Sequence, residues 1–257
     1  MRMSGNTIFI TGGGTGIGRG LAEAFHARGN RVVIAGRRGD VLDEVAAANP
    51  GMASIALDIA DPASIAAVAA ALIRDYPQLD TVIHMAGVMR NENVRTTAVD
   101  TAEETIAINL LGPIRLTAAL MPHLLARPRA TIMTVTSGLA FLPLAMTPAY
   151  SASKAAIHSW TQSLRYQLKG SAIDVLELVP PYVRTGLMGA RQANDPHAMP
   201  LEDFVAEVMQ ILETQPEATE ILVEAVKPLR FAEANGGYEA FFQQRNDALK
   251  AARAGEI

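Results

Sequence analysis

The sequence predicts an α/β fold, a doubly wound and mainly parallel sheet of about seven strands with helices on both faces, built by a single domain. Three observations carry this prediction. Short β-branched runs alternate with longer, Ala-rich amphipathic stretches along the 257 residues, and that alternation produces a parallel sheet flanked by helices. The runs TIFI, VVIA and VLELV are continuously apolar, as strands covered on both faces must be. No internal repeat or low-complexity linker divides the chain.

The strand candidates are Thr7–Thr11, Arg31–Ala35, Ser54–Leu57, Thr81–His84, Thr131–Thr136, Asp174–Val179 and Ile221–Val223. Helical candidates lie at 17–28, 40–48, 62–75, 100–125, 150–168 and 201–213. Asp61-Pro62 reads as an N-cap followed by proline at the first helical position. From Ala63 to Leu72 apolar residues then recur at helical spacing. Between Gly186 and Pro200 the regular pattern gives way to Gly, Met, Asn, Asp and Pro. This segment is expected to act as a mobile substrate lid. The tail, 231–257, carries a Gly236-Gly237 break and then a helix pattern whose Tyr238, Phe241 and Phe242 pack on the body or on another subunit.

Composition narrows the function. The net charge of -4 leaves no electrostatic footprint for nucleic acid. The absence of cysteine excludes disulfides and thiolate chemistry. His26, His84, His123, His158 and His197 show no metal-ligand spacing, so no metal is expected. No secretory signal opens the chain, and no uncharged apolar stretch reaches the roughly 20 residues needed to span a bilayer. A cytoplasmic protein without membrane partners is the expectation.

The first strand runs into Thr11-Gly12-Gly13-Gly14-Thr15-Gly16-Ile17-Gly18, and a helix pattern follows. Glycines permit a sharp turn and close approach of a pyrophosphate, and the helix start offers N–H groups and a favourable dipole. A glycine cluster alone also suits a flexible turn; its place between the first strand and first helix is what points to a dinucleotide. The second strand ends at Ala35-Gly36-Arg37-Arg38. An acidic residue in this region would bind the ribose hydroxyls of NAD, whereas arginine pairs with the 2′-phosphate of NADP. NADP(H) is therefore the preferred cofactor, led by Arg37 with Arg38 assisting, and NAD(H) is the alternative. A pair of solvated arginines is the plainer reading. Asp58 follows the third strand, where helix capping competes with a ligand role, although Asp61 is better placed to cap.

Tyr150-Ser151-Ala152-Ser153-Lys154 puts Tyr and Lys on one helical face. An ammonium beside a phenol stabilises the phenolate and lowers its pKa, which prepares the pair to exchange a proton with a carbonyl or alcohol. The spacing is common by chance. Its weight comes from Ser137 at the end of the fifth strand, where sites form in parallel sheets, and from Asn109, a poor residue for mid-helix.

Taken together, TGGGTGIG, LDI, the AG after the fourth strand, the Asn109 segment, Ser137, Tyr150-x-x-x-Lys154 and the Pro180–Thr185 segment resemble the short-chain dehydrogenase/reductase family, over roughly Thr7 to Thr185. The segments SGLAFLPLA, PAYSASKAAIHSW and PPYVRTGL further resemble bacterial oxidoreductases found beside D-alanyl-teichoic-acid genes. The resemblance implies a Rossmann-type fold and a catalytic set of Asn109, Ser137, Tyr150 and Lys154. In that set Tyr150 exchanges the proton, and Lys154 lowers its pKa and binds the nicotinamide ribose. Ser137 binds the substrate oxygen, and Asn109 holds a water linked to Lys154. It also implies cofactor contacts from Gly12, Thr15, Gly16, Ile17, Gly18, Arg37, Arg38, Asp58, Ile59, Ala86, Gly87, Tyr150, Lys154, Val183 and Thr185. Two departures stand out. His84-Met85-Ala86-Gly87 replaces the family's Asn-Asn-Ala-Gly, with His84 expected as a structural substitute, and Pro180-Pro181 replaces Pro-Gly.

The apolar segment Leu139–Thr147 is expected to line the substrate mouth with Leu187 and Met188, while Arg90 and Arg95 face an anionic substrate or solvent. The function expected is hydride transfer between nicotinamide and an alcohol or carbonyl carbon of a small molecule. Alternatives are a cofactor-sensing regulator and a sugar-nucleotide epimerase or dehydratase. In the family the helices near 100–125 and 150–168 form interfaces, so a homotetramer or homodimer is expected.

Overall fold

A computed structural model describes residues 1–96 and 99–252. Seven strands form one parallel sheet: β1 Thr7–Thr11, β2 Arg31–Gly36, β3 Ala53–Ala56, β4 Leu79–His84, β5 Ala130–Val135, β6 Ile173–Leu178 and β7 Glu220–Ile221. Their order is β3-β2-β1-β4-β5-β6-β7, and every pairing is parallel. The order reverses between β1 and β4, and a crevice opens at the carboxyl ends of strands at such a switch point.

The helices follow the sequence pattern closely. They are α1 Gly16–His26, α2 Gly39–Ala48, α3 Pro62–Asp75, α4 Val99–Ile106, α5 Gly112–Leu125, α6 Pro148–Gln167, α7 Ala190–Ala193, α8 Leu201–Thr214, α9 Lys227–Arg230 and α10 Tyr238–Ala252. In α3, Ile65, Val68, Ala69 and Leu72 form the buried stripe. Asp61 caps the helix by accepting from Ala63 N and Ser64 N. Two cores cover the two sheet faces. One joins Ile8, Ile10 and Ile34 to Leu21, Phe25, Phe204 and Val208 of α1 and α8. The other joins Phe9, Val33 and Val82 to Leu72, Leu116 and Leu120 of α3 and α5. Full burial of such side chains contributes about 1.5–3 kcal/mol each.

Two expectations change and a third is narrowed to one of its alternatives. The helix read at 100–125 is broken in kind: α4 and α5 are joined by a π turn, Ala107–Leu111, in which Gly112 N donates to Ala107 O. The combined Val99–Leu125 segment is long and apolar enough to cross a membrane, yet Leu116, Leu120 and Leu124 are wholly buried, as in the core helix of a globular sheet protein. The last strand is two residues long and ends before Val223. In the tail, Tyr238, Phe241 and Phe242 pack on Leu142, Leu229 and Ala232 of the same chain; positions 253–257 of the expected tail lie outside the described residues.

Candidate active site

The carboxyl ends of β1, β2, β4, β5 and β6 open into a cleft of about 570 Å³, within the range of small-molecule sites. Its phosphate end is the β1–α1 loop. Gly12 sits at φ +70, and a Cβ there would stand 2.9 Å from Ala86 Cα, so only glycine lets the two loops close on each other. Thr15 is the N-cap of α1 but makes no side-chain capping bond. The first N–H groups of α1 therefore face the cleft beside Gly16, Ile17 and Gly18, which also line it.

Arg37 and Arg38 form the rim at the end of β2, both exposed and neither in a described ion pair. Asp58 and buried Ile59 face the same space. Asp58 uses Oδ1 on Ala60 N at 3.0 Å, while Asp61 does the helix capping. Ala86 and Gly87 form the next wall, and Val183 and Thr185 the far side. The cleft thus offers a donor-rich loop, an apolar slot and a cationic rim. These residues fit a nicotinamide dinucleotide.

The reacting end lies where β5 meets α6. Ser137, Tyr150 and Lys154 are 7%, 7% and 5% exposed and share the cleft. Ser137 begins a short 3-10 turn and its Oγ accepts from Leu139 N at 3.2 Å, which leaves its hydroxyl proton available to another oxygen. Tyr150 is in the first turn of α6. Thr147, the N-cap residue, gives that helix no side-chain bond; Glu92 Oε1 instead accepts from Ala149 N at 3.1 Å, reaching in from the loop after β4. Lys154, one turn on, donates from Nζ to Val135 O at 2.8 Å, and Nζ stands 5.6 Å from the Tyr150 ring centroid.

Burial pushes the Tyr150 phenol up to about 12, with the Ser137 hydroxyl pulling the other way. Burial also lowers Lys154, to about 8. Both groups lose water on burial, and burial moves each towards its neutral form.

Asn109 is 2% exposed in the π turn, a geometry that recurs at functional sites. Its side chain is spent on protein groups: Oδ1 accepts from Val88 N at 2.9 Å, and Nδ2 donates to Val88 O at 2.9 Å and Ser153 Oγ at 3.1 Å. It pins the Ala86–Val88 segment to α6. His84 is 3% exposed and turned away from the cleft; Nε2 meets Thr117 Oγ1 at 2.8 Å, and burial lowers its pKa to about 4. It is a neutral packing residue. The loop contacts come from Thr11 Oγ1, which accepts from Met85 N and Ala86 N at 3.1 Å each.

Two contributors have no local sequence signal. Gln192, on α7 of the 186–200 segment, is 6% exposed and lines the cleft. It donates to Val183 O at 2.8 Å and Thr185 Oγ1 at 3.3 Å, and accepts from Met188 N at 3.1 Å. The other is α10. Leu249 and Met89 pack on the apolar wall of Leu139, Leu144, Met146 and Tyr150. Asn246 Oδ1 accepts from Ala145 N at 2.7 Å. Of the residues expected at the substrate mouth, Leu187 lines the cleft, whereas Met188 and the Leu139–Thr147 segment do not. Arg90 forms an exposed pair with Glu104 at 3.7 Å.

A family model described as short chain dehydrogenase matches residues 6–196. The chain belongs to the short-chain dehydrogenase/reductase family. Its members are oxidoreductases that act on CH–OH and C=O groups with NAD(P). The chain is 36% identical to the uncharacterized oxidoreductase DltE of Bacillus subtilis (strain 168) over 251 residues, 96% of this chain and 98% of that one. That similarity agrees with the resemblance to the D-alanyl-teichoic-acid-operon oxidoreductases. Among solved structures, a short-chain dehydrogenase/reductase from Burkholderia phymatum in complex with NAD superposes with a TM-score of 0.81 at 20% identity, covering 95% of this chain and 96% of that one. A short-chain dehydrogenase from Burkholderia cenocepacia J2315 in complex with NADP gives 0.79 at 24%, covering 96% and 99%. These two likenesses establish the family's dinucleotide fold for this chain.

Proposed function

We propose that this protein is an NADP(H)-dependent carbonyl reductase or alcohol dehydrogenase acting on a small substrate with an apolar body. The carrying observation is the meeting of Ser137, Tyr150 and Lys154 at one end of a cleft whose other end is rimmed by Arg37 and Arg38. The dinucleotide, when bound, supplies or takes up the hydride. It would be held by the Gly12–Gly18 loop, the two arginines, Asp58, Ile59, Ala86, Gly87, Lys154, Val183 and Thr185.

The chain's own residues manage the oxygen and its proton. Ser137 Oγ, already accepting from Leu139 N, directs its hydroxyl proton at the substrate oxygen. Tyr150 Oη gives its proton to that oxygen as negative charge grows on it. The Lys154 ammonium then stabilises the phenolate that remains, an interaction absent before the transfer and so one that favours the transition state. In oxidation the same proton moves back to Tyr150. Leu139, Leu144, Met146 and Leu249 pack with Tyr150 and shield that side of it from water. A homodimer or homotetramer built on α4, α5 and α6, the helices that form interfaces in the family, completes this reading.

Nicotinamide fluorescence titration followed by a panel of aldehydes and ketones with NADPH tests this reading. Turnover of at least one carbonyl with NADPH over NADH is expected. Tight NADPH binding with no turnover across the panel would favour a cofactor-sensing role instead.

A further inference from the structure

Glu177 lies in the middle of β6 with its side chain 0% exposed. A buried carboxylate is costly unless it is paired and fully hydrogen-bonded, and neither Glu177 nor its partner His158 lines the cleft. The groups that meet it come from two other elements. Thr136, the residue before Ser137, donates from Oγ1 to Oε1 at 2.8 Å. On α6, His158 Nδ1 lies 2.8 Å and 3.0 Å from the two carboxylate oxygens. Phe141 sets its ring against the His158 imidazole, centroids 4.7 Å apart and planes at 74°. Arg230 covers Phe141 at 4.4 Å and is itself paired with Glu220.

The placement along α6 gives this cluster its meaning. His158 is one turn beyond Lys154 and two beyond Tyr150 on the same face. Thr136 adjoins Ser137. The cluster therefore connects the residue next to the serine with the helix that carries the tyrosine and lysine. A second tie between the same strand and helix lies deeper, where Thr134 Oγ1 meets Thr161 Oγ1 at 2.8 Å. That deeper tie joins the elements without acting on the residue beside Ser137.

We infer that Thr136, Glu177 and His158 form a positioning clamp that fixes Ser137 against Tyr150 for proton transfer. They are positioning residues: Thr136 borders the cleft but commits its hydroxyl to Glu177, and Glu177 and His158 do not line it. The inference rests on the proposed reductase reading for its kinetic consequence, but its structural consequence stands apart from turnover. Misplacing reacting groups by about 1 Å costs up to about 100-fold in rate, and loss of one of the clamp's bonds is expected to cost about tenfold.

The test compares Thr136→Val, Thr136→Ser and Thr134→Val in the full chain. Thr136→Val is expected to lower kcat about tenfold while the NADPH dissociation constant stays within about twofold. Thr136→Ser, which restores the hydroxyl, recovers most of that loss. Thr134→Val lowers the melting temperature but leaves kcat unchanged. A second readout needs neither cofactor nor turnover: NMR of ring-labelled tyrosine, with the Tyr150 signal assigned through Tyr150→Phe. That signal is expected to shift in Thr136→Val and to stay in place in Thr134→Val. If Thr136→Val does not fold, Glu177→Gln takes its place in both measurements. Wild-type kcat and an unmoved Tyr150 signal in Thr136→Val would overturn the clamp, as would equal kinetic losses in Thr134→Val and Thr136→Val. If the wild type reduces no carbonyl, the reductase reading fails and the NMR comparison alone decides the clamp.

Discussion

Replacing Arg37 with alanine tests the cofactor preference at the residue expected to set it. Arg37 and Arg38 stand exposed on the cleft rim, and no described carboxylate pairs with either. A hydrogen bond to a charged group contributes about 1.5–3 kcal/mol, and about 1.4 kcal/mol is tenfold in affinity. Exposure and salt weaken such contacts, and Arg38 remains to attract the phosphate. The dissociation constant for NADPH should therefore rise about 5–30-fold. NADH, which lacks the 2′-phosphate, should bind within about twofold of wild type. Fluorescence titration of both cofactors measures this directly, and added salt should narrow the wild-type preference. Equal weakening of NADPH and NADH, or a wild type that binds NADH more tightly, would refute the reasoning.

Two further outcomes concern stability. Asn109→Leu strands the buried N–H and C=O of Val88, which Asn109 now satisfies; at about 1–3 kcal/mol per orphaned group the loss is about 2–6 kcal/mol. Thermal unfolding should show a fall of about 5–15 °C, and a change of under about 2 °C would mean the π turn relaxes to compensate. His84 has a folded pKa near 4 against 6.5 unfolded, so the unfolded chain binds the extra proton first as pH falls. Its contribution is complete above pH 6.5 and declines towards pH 4, by about 3 kcal/mol in all. Urea unfolding across that range should be markedly flatter in a His84→Asn variant.

The sheet was legible in the sequence because its signals are local. Apolar runs such as Thr7–Thr11 are buried along their whole length, and Asp61-Pro62 caps and opens its helix as read. The loop, Ser137, Tyr150 and Lys154 were legible because strand ends and helical spacing fix their neighbourhood. Asn109 was visible as a misfit in a helix, but the π turn that accommodates it depends on packing around Gly112, where a Cβ would stand 2.6 Å from Ile59. Gln192 and Asn246 were not visible at all. The latter meets Ala145 across 101 positions, and no local pattern encodes that contact. The burial that pushes the Tyr150 phenol up was not legible, because Tyr-x-x-x-Lys spacing reports a neighbouring charge and says nothing of desolvation.

The most direct test of the account is the kcat of Tyr150→Phe for carbonyl reduction with NADPH, measured beside its NADPH affinity. Removing the one hydroxyl that donates the proton should lower kcat by about 100-fold or more while NADPH binding changes little. A Tyr150→Phe variant that reduces the substrate as fast as wild type would contradict the assignment of Tyr150 as proton donor.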